Sequence, residues 1–477
     1  MPEPQDVLNS QRGSVVAPAG CGKTHLIVDT LLASSDEKPI LVLTHTTAGV
    51  AALKKRLIGN GVAKSKYRLT TIDAWAINVI SMFPQRAGYI IDKLAPPDYA
   101  EIKNATNRLL ASGSINDIIK ATYSRLLVDE YQDCSQSQHQ LVTRLAQLLP
   151  TVIFGDPMQA IFGFGQDTLP NWDNEVIPFF PVIGMLNTPW RWENRNARAL
   201  GDWLLNARQG LLAGGNIDLR SCVGHIFWNR ITDVVAQDLQ NQVNAQYQIA
   251  QDYPDDTLLI IGDSIQVGSR HQYASRSRGV TVVERVDYPD VVQSASRMAG
   301  QTGAALFAEV IEFLKKVTVN LYSDRLIQRM DSIEAGRNRN PATEDELLAI
   351  KLRRSGGFQD AVSFMATILK TPDRRLFRHS AYSVMIEALK SAASDTSMSL
   401  DDHVAFIREK HRHAGRSVMN KAVGSTLLLK GLEADHVLIL DADIPERNRR
   451  MNRKHLYVAL SRGAKTITIF SRNPVLP

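Results

Sequence analysis

The chain has 477 residues, of which 44% are hydrophobic and 22% are charged. This composition is typical of a globular protein and excludes a collagen-like or largely disordered chain. Lysine and arginine total 55 against 49 aspartates and glutamates, and a net charge of +6 on a chain of this length indicates a polyanionic partner only weakly.

Cysteine content and hydropathy limit the cellular setting. The three cysteines, Cys21, Cys134 and Cys222, are too few for a disulfide framework or a tetrahedral zinc site. No apolar run reaches the ~18 residues that span a bilayer, and the N-terminus lacks the pattern of a signal peptide. The sequence therefore predicts a cytoplasmic protein with no membrane partner.

Short apolar runs alternate with amphipathic stretches, a pattern that is typical of parallel sheets flanked by helices. The predicted strands are Ser14–Ala17, Ile40–Leu43, Leu126–Asp129, Val152–Phe154, Val182–Leu186, Leu258–Ile261, His436–Leu440 and Thr466–Phe470. The first half also carries predicted helices at Lys23–Leu32, Thr47–Leu57 and Gln138–Leu148.

Two mainly helical stretches, residues 76–123 and 290–412, interrupt this alternation. We therefore expect an α/β protein with two cores, each carrying a mainly helical insertion. The first core would comprise residues 1–75 and 124–180, and the second residues 181–289 and 413–477.

A glycine-rich turn follows the first predicted strand and opens the first predicted helix. Its residues are Ala17, Pro18, Ala19, Gly20, Cys21, Gly22, Lys23 and Thr24. In a phosphate-binding loop, glycines let backbone N–H groups surround the phosphates at a helix N-terminus. Lys23 would then reach the β- and γ-phosphates of ATP, and the Thr24 hydroxyl would bind Mg²⁺.

Paired acidic residues stand at the end of the strand Leu126–Asp129. In a chain that also has a phosphate-binding loop, Asp129 is expected to bind Mg²⁺. Glu130 would orient or deprotonate the attacking water.

A third strand, Val152–Phe154, precedes a glutamine and two aromatic residues. Gln159 stands where a sensor of the γ-phosphate is expected. Phe162 and Phe164 alternate with glycines, which leaves the faces of their rings open for base stacking. The segment is predicted to connect an ATP site to a nucleic-acid site.

These three motifs resemble those of the superfamily 1 DNA helicases of the UvrD/Rep/PcrA type. Further motifs similar to that family follow in the same order, so that the series covers nearly the whole chain. They are LVLTHTTAGVAAL (Leu41–Leu53), LTTIDAWA (Leu69–Ala76), LNTPWRW (Leu186–Trp192), STLLLKGLEADHVLIL (Ser425–Leu440) and HLYVALSRGAK (His455–Lys465). The resemblance implies two RecA-like P-loop NTPase cores.

The resemblance also implies nucleotide-binding roles for residues outside the loop. Trp190 replaces the tyrosine that stacks on adenine, and Arg191 corresponds to a phosphate-binding arginine. Glu433 would contact the ribose, and Arg462 would be the arginine finger that meets the γ-phosphate. The family's adenine-reading glutamine is either Gln5 or Gln11.

Three positions correspond to the family's contacts with single-stranded DNA: His45, Thr71 and Lys430. Together with Phe162 and Phe164 they make up the candidate DNA-binding set. Stacking on His45 and Phe164 would hold DNA without regard to sequence.

The function implied by the resemblance is an ATP- and Mg²⁺-dependent translocase or helicase, which hydrolyses ATP between its two RecA-like cores and moves 3′→5′ on single-stranded or tailed duplex DNA. An alternative is an ATP-gated sensor of DNA ends, or a regulatory subunit of a nuclease complex, with little unwinding of its own. A small-molecule kinase is disfavoured, because it gives no reason for Phe164, Trp190 and the segment around Arg462 to occur together.

The chain also resembles, in its compact form, the UvrD-like helicase subunits of bacterial anti-phage systems such as Gabija. There a separate OLD-family nuclease cuts the DNA, so this resemblance implies a role in antiviral defence beside such a partner. Because the chain ends at Pro477, shortly after the strand that ends at Phe470, we expect no DNA cleavage by this chain alone.

Overall fold

The computed structural model describes residues 1–92, 97–162, 167–221, 224–232, 234–414, 419–443 and 452–476. In chain order its strands are β1 Arg12–Val16, β2 Ile40–Thr44, β3 Tyr67–Thr71, β4 Leu126–Val128, β5 Thr151–Gly155, β6 Val182–Met185, β7 Ile217–Asp218, β8 Ile226–Arg230, β9 Leu258–Ile261, β10 Thr281–Val282, β11 Thr318–Val319, β12 Arg375–Leu376, β13 Lys421–Gly424, β14 Ala434–Ile439, β15 Gly463–Ser471 and β16 Val475–Leu476.

The helices that accompany the first sheet are α1 Pro4–Asn9, α2 Lys23–Ala33, α3 Thr47–Gly59, α4 Ile72–Met82, α5 Pro84–Ala87, α6 Tyr99–Ala111, α7 Asn116–Thr122, α8 Gln136–Leu145, α9 Ile177–Phe179, α10 Trp190–Glu193 and α11 Arg198–Leu212. Those that follow are α12 Val235–Asp252, α13 Val267–Arg276, α14 Pro289–Met298, α15 Gly303–Val317, α16 Ser323–Glu334, α17 Glu344–Ser355, α18 Phe358–Ile368, α19 His379–Ser394, α20 Leu400–Ala414, α21 Thr426–Leu429 and α22 Arg453–Leu460. Across the described ranges, no helix combines the length and the apolar character needed to cross a membrane.

The first sheet has six strands in the order β3-β2-β4-β5-β1-β6, and all its pairings are parallel. Alternate residues of a strand point to opposite faces of the sheet. Leu41 and Leu43 of β2 accordingly pack into one hydrophobic cluster, while Ile40 and Val42 pack into another. Because both faces are covered, β2 is buried along its whole length.

A second six-stranded sheet has the order β10-β13-β9-β14-β15-β8. Its pairings β10–β13, β13–β9, β9–β14 and β15–β8 are parallel. Two six-stranded parallel sheets, each accompanied by helices, confirm the predicted α/β class with two RecA-like cores.

Helical segments lie within both halves of the chain, as the sequence predicts. Helices α4 to α7 separate β3 from β4, and α14 to α20 occupy the stretch from Pro289 to Ala414. The second helical segment has its own buried core, which includes Phe313 of α15, Phe364 of α18 and Leu389 of α19.

Strand β6 corrects one expected boundary, the division between the cores at residues 180 and 181. The sequence placed Val182–Leu186 in the second core, but β6 pairs with β1 in the first sheet. Backbone hydrogen bonds at both ends fix this pairing: the Ser14 N–H donates to the Pro181 carbonyl and the Leu186 N–H to the Val16 carbonyl. Apolar patterning predicts that a strand forms but not which sheet it joins, since pairing depends on distant residues.

The chain divides into two compact units. The first comprises Met1–Arg230, Gly431–Asp435 and Ala442–Pro477, and the second comprises Ile231–Lys430 and His436–Asp441. Every site residue discussed below except Lys430 and the undescribed Phe164 belongs to the first unit.

Candidate functional site

The loop between β1 and α2 has the geometry of a phosphate-binding loop. Gly20 and Gly22 adopt left-handed backbone conformations, with φ of +71° and +91°. Residues with a Cβ rarely adopt these angles, so glycine is required at both positions. Helix α2 then begins at Lys23, which places its N-terminal N–H groups at the end of the loop.

Helix α10 packs two tryptophans against this loop. A Cβ on Gly20 would come within 2.7 Å of the Trp192 ring, and one on Gly22 within 3.0 Å of the Trp190 ring. Trp192 is 1% exposed, and its indole N–H donates to the Gly463 carbonyl. Trp190 is 46% exposed. The ring available for stacking beside the loop is therefore that of Trp190, the one that the sequence indicated.

Lys23 contacts both acidic residues that follow β4. Its Nζ lies 3.0 Å from Asp129 Oδ1 and also contacts Glu130 Oε1. Burial alone would lower the pKa of Lys23, but attraction to Asp129 and Glu130 outweighs burial, so this pKa is raised above its usual value. Lys23 is thus held as a cation between the two carboxylates that follow β4, at the carboxyl end of that strand.

Glu130 has an unusual backbone conformation for a residue with a side chain, with φ of +55°. The Glu130 N–H donates to Asp129 Oδ1 over 3.0 Å, which helps to hold the turn. Left-handed conformations at residues other than glycine cost energy and cluster at functional sites. This turn directs two adjacent acidic side chains to the same place.

Asp129 and Thr24 supply the donors that Mg²⁺ prefers. A carboxylate follows β4 and a hydroxyl stands in the first turn of α2, and hard oxygen donors of this kind suit Mg²⁺. The residues present therefore fit the expected ion. Among the described residues, no group of three or more histidine, cysteine, aspartate or glutamate side chains could hold a metal ion.

The segment after β5 carries Gln159 next to a buried ion pair. Asp156 accepts three hydrogen bonds from the Arg208 guanidinium of α11, the shortest being 2.7 Å, and both side chains are almost fully buried. Gln159 Nε2 donates to Asp156 Oδ2 over 3.3 Å. Gln159 is therefore supported by a carboxylate whose own position is fixed.

Arg462 reaches the same segment from the C-terminal part of the chain. Its Nη2 donates to Gln159 Oε1 over 3.4 Å, and its Nε donates to the Val458 carbonyl over 2.9 Å. Arg462 is 4% exposed. Burial, and then the nearby Arg191, lower its pKa to about 10, so it remains a cation at neutral pH.

Arg191 and Glu433 form an ion pair close to Arg462. Arg191 Nη2 donates to Glu433 Oε1 over 2.7 Å, and Nη1 donates to the Ser461 carbonyl. Burial alone would raise the pKa of Glu433, but Arg191 and Arg462 lower it below its usual value. Two arginines and one carboxylate are thus brought together by segments that are far apart in sequence.

The candidate nucleotide-site residues lie in one compact unit. The sequence placed Arg191, Glu433 and Arg462 on the second core, opposite Lys23. Glu433 and Arg462 directly precede β14 and β15, two strands of the second sheet, and all three residues belong with Lys23 to the first compact unit.

Two of the candidate DNA-binding residues are neighbours. The rings of His45, which follows β2, and Phe162, which follows β5, have centroids 5.8 Å apart and planes inclined by 40°. Both side chains are half-buried. They make an aromatic pair beyond the carboxyl ends of two strands of the first sheet.

The remaining candidates have different surroundings. Thr71 caps α4, because its hydroxyl oxygen accepts from the Ala74 N–H, and it is largely buried. Lys430 is half-buried and belongs to the second unit. Phe164 lies outside the described residues.

The two candidates for the upstream glutamine, Gln5 and Gln11, stand in different parts of the N-terminal segment. Gln11 precedes β1, about 17 Å from the loop at the far end of that strand. Gln5 follows the segment in which Pro2 packs against Gly184 and Met1 contacts Thr188. Thr188 stands two residues before Trp190, which packs against the loop. The segment at Met1 and Pro2 therefore lies near the end of the sheet that carries the loop.

Two contacts were not anticipated from the sequence. The Ala19 N–H of the loop donates to the Tyr457 hydroxyl of α22 over 3.3 Å, and Tyr457 is buried. The Gln132 side chain joins Glu130 to the backbone of Asp156. Tyr457 lies within the motif His455–Lys465 and Gln132 stands two residues after Glu130, but the sequence around them does not show their partners.

One part of the chain matches a known protein family. Residues 93–174 match the family model of the UvrD/REP helicase N-terminal domain. This segment is similar to superfamily 1 helicases. The match includes β4, Glu130 and Gln159, but not the loop at residues 17–22.

No curated protein matches the chain. Among solved structures, it is similar to the arterivirus nonstructural protein 10 helicase in complex with DNA, with 9% identity and a TM-score of 0.35. The alignment covers 98% of this chain and 62% of the viral one, so the chain spans less than two thirds of the length of that helicase.

Proposed function

We propose that the chain is an ATP- and Mg²⁺-dependent DNA translocase or helicase of the UvrD type, which moves 3′→5′ on single-stranded DNA. The observation that carries this proposal is the contact of Lys23 with both Asp129 and Glu130 beside a glycine-rich loop. The family match at residues 93–174 supports the helicase class.

The residues of the first unit would divide the work of ATP hydrolysis. Lys23 and the loop N–H groups would bind the phosphates, and Thr24 and Asp129 would hold Mg²⁺, which would supply positive charge to neutralise the phosphates. Glu130 accepts a proton from the attacking water. Lys23 would exchange its contacts with the carboxylates for contacts with phosphate oxygens, so the carboxylates become free for these tasks.

The second group of residues would recognise the nucleoside and the transition state. Trp190 stacks on adenine and Glu433 contacts the ribose. Arg191 and Arg462 place positive charge where the γ-phosphate develops negative charge, and Arg462 supplies the arginine finger.

Gln159 would couple ATP to DNA. It contacts Arg462 and stands three residues before Phe162, whose ring faces His45. A change at the γ-phosphate is thereby passed along one short segment to the aromatic pair. Base–aromatic stacking contributes about 1–3 kcal/mol per base, which gives grip without sequence preference.

The test is strand separation of duplexes with single-stranded tails. We expect DNA to stimulate ATP hydrolysis, and we expect a duplex with a 3′ tail to be unwound while one with a 5′ tail is not. Lys23→Ala is the control for contaminating motors. Unwinding from the 5′ tail alone would contradict the proposed polarity.

The small size of the first helical segment, α4 to α7, favours a second candidate function. A short insertion offers little surface for gripping a duplex, so the chain would instead sense DNA ends for a separate nuclease, such as an OLD-family protein, in antiviral defence. DNA-stimulated ATP hydrolysis without strand separation supports this candidate. Co-purification with the products of neighbouring reading frames, followed by assay for DNA cleavage, tests the partner.

A further inference from the structure

Gln132 lies directly behind the proposed catalytic carboxylate. It belongs to the short 3₁₀ helix Tyr131–Asp133 that follows Glu130, and it is only 3% exposed. A buried amide side chain is expected to use both its donor and its acceptor. Its two partners therefore show what this residue holds in place.

The two ends of the Gln132 amide contact different motifs. Nε2 donates to Glu130 Oε2, and Oε1 accepts from the Asp156 N–H over 3.1 Å. The first partner is the proposed general base, and the second begins the segment that leads to Gln159. One side chain thus spans from the carboxylate motif to the end of β5.

Gly155 makes this bridge possible. A Cβ on Gly155 would lie 2.8 Å from Gln132 Oε1 and 3.2 Å from the Gln132 backbone nitrogen. The first distance is shorter than real Cβ contacts and the second is tighter than most of them, so a side chain at residue 155 would displace the amide. Glycine at residue 155 therefore leaves the space that the Gln132 amide needs to contact both partners.

The anchor at Asp156 is itself rigid. Its carboxylate accepts from Arg208 and from the Met158 N–H over 3.0 Å, and the Asp156 side chain has no exposed surface. A hydrogen bond to a fixed backbone group limits the rotamers of Gln132 and, through it, those of Glu130.

We propose that Gln132 is a positioning residue: its two hydrogen bonds orient the Glu130 carboxylate towards the attacking water and couple that orientation to the segment that carries Gln159. This inference rests on the proposed ATPase function and adds a residue to it. Misplacing a catalytic group by about 1 Å can lower a rate by about 100-fold. Phosphate binding by Lys23 and the loop does not involve Gln132.

Two variants separate positioning from packing. Gln132→Leu keeps a similar volume but removes both hydrogen bonds. Gln132→Glu keeps an acceptor for the Asp156 N–H and replaces the donor to Glu130 with a carboxylate oxygen that repels Glu130, so it breaks the bridge at that end even if Gln132→Leu fails to fold. Gln136→Leu is the matched control, because Gln136 donates to Glu175 on the surface of the same segment.

The measurement is steady-state ATP hydrolysis by the full chain with saturating single-stranded DNA, together with the melting temperature. We expect both Gln132 variants to lower kcat by about 10- to 100-fold while the KM for ATP changes less than about threefold. Gln136→Leu should match the wild type. A kcat within about twofold of wild type in Gln132→Glu overturns the proposal, and so does a loss of kcat accompanied by a similar rise in KM and a lower melting temperature.

Lys23→Ala, measured in parallel, distinguishes failure of this inference from failure of the proposed function. If Lys23→Ala abolishes ATP hydrolysis and the Gln132 variants hydrolyse ATP normally, the assignment of the ATP site is supported and the positioning role of Gln132 is wrong. If Lys23→Ala retains hydrolysis, the site itself is wrong, and the role of Gln132 falls with it.

Discussion

Arg462 Nη2 donates a hydrogen bond to Gln159 Oε1 over 3.4 Å, although 303 residues separate them in the chain. The guanidinium is also held by the Val458 carbonyl and by the Ser461 hydroxyl. An arginine fixed in this way needs little rearrangement to stabilise charge that develops during a reaction. The contact gives the proposed arginine finger a defined position next to the proposed γ-phosphate sensor.

Replacement of Arg462 tests this role. Arg462→Lys should lower kcat for ATP by about 10³- to 10⁵-fold, since an arginine finger acts mainly on the transition state. Nucleotide affinity, measured by fluorescence titration, should fall much less. Arg220→Ala is a suitable control, because Arg220 forms a surface ion pair with Asp218. A kcat within a few-fold of wild type would show that Arg462 does not act on the γ-phosphate.

Tyr457 supports the phosphate-binding loop through its hydroxyl. Tyr457→Phe removes the acceptor for the Ala19 N–H and leaves the ring, so the loop should be less well ordered. A single hydrogen bond contributes about 0.5–1.5 kcal/mol, which corresponds to a rise of about 2- to 10-fold in the KM for ATP with little change in kcat.

Tyr247→Phe provides the matched control for this measurement. The Tyr247 hydroxyl accepts from Gln251 on the exposed face of α12. An unchanged KM in Tyr457→Phe, or an equal rise in both variants, would exclude the proposed support of the loop.

The sequence predicted local features of the site better than distant contacts. The loop at residues 17–24 and the carboxylates after β4 follow from strand-turn-helix patterns within a few residues, and most predicted strands agree with the observed ones to within two residues. Asp156, which donates to Gln132, is 24 residues away from it, and Ala19, which donates to Tyr457, is 438 residues away from it. Such contacts depend on how elements pack, which periodicity does not encode.

Three of the missed strands, β3, β8 and β10, lie at sheet edges, whereas the missed strand β13 lies inside the second sheet between β10 and β9. β3, at the edge of the first sheet, has the mixed sequence YRLTT, in which only the first and last residues are buried. β8 and β10 are likewise at the edges of the second sheet. Edge strands face solvent on one side and carry a weaker apolar signal than central ones.

The buried pair Asp156–Arg208 is expected to stabilise the first unit. Arg208→Leu leaves a buried carboxylate without its partner, and breaking a pair in this way costs about 3–5 kcal/mol. Thermal denaturation should show a large fall in melting temperature, and Asp156→Asn in the same chain should restore part of it. Arg198→Ala, on the exposed face of the same helix, should change little. Equal effects of Arg208→Leu and Arg198→Ala would contradict this account.

His271 is expected to make the stability of the second unit depend on pH. Burial, and then Arg378, lower its pKa to about 4; Asp290 opposes this shift, Arg270 adds to it, and Glu284 lies 3.7 Å away. Because the unfolded pKa is about 6.5, the neutral form is favoured in the folded state. The resulting stability is complete above pH 6.5 and is lost as the pH falls towards 4, by up to about 3 kcal/mol.

Denaturant unfolding at a series of pH values checks this dependence. His271→Phe should flatten the slope of stability against pH between about 4 and 6.5. His25→Asn is the control, because His25 is exposed on α2. A slope that is the same in wild type and His271→Phe would assign the dependence to other groups.

Glu130→Gln, compared with Lys23→Ala, gives the most direct test of the central claim that the first unit hydrolyses ATP in response to DNA. The measurement is ATP turnover with and without single-stranded DNA, together with binding of ATP and DNA to the same samples. We predict that DNA stimulates the wild type, that both variants lose turnover, and that only Glu130→Gln retains ATP binding, because Lys23 binds phosphate whereas Glu130 acts on water. Turnover near the wild-type level in Glu130→Gln, or a wild type that hydrolyses ATP equally with and without DNA, would contradict it.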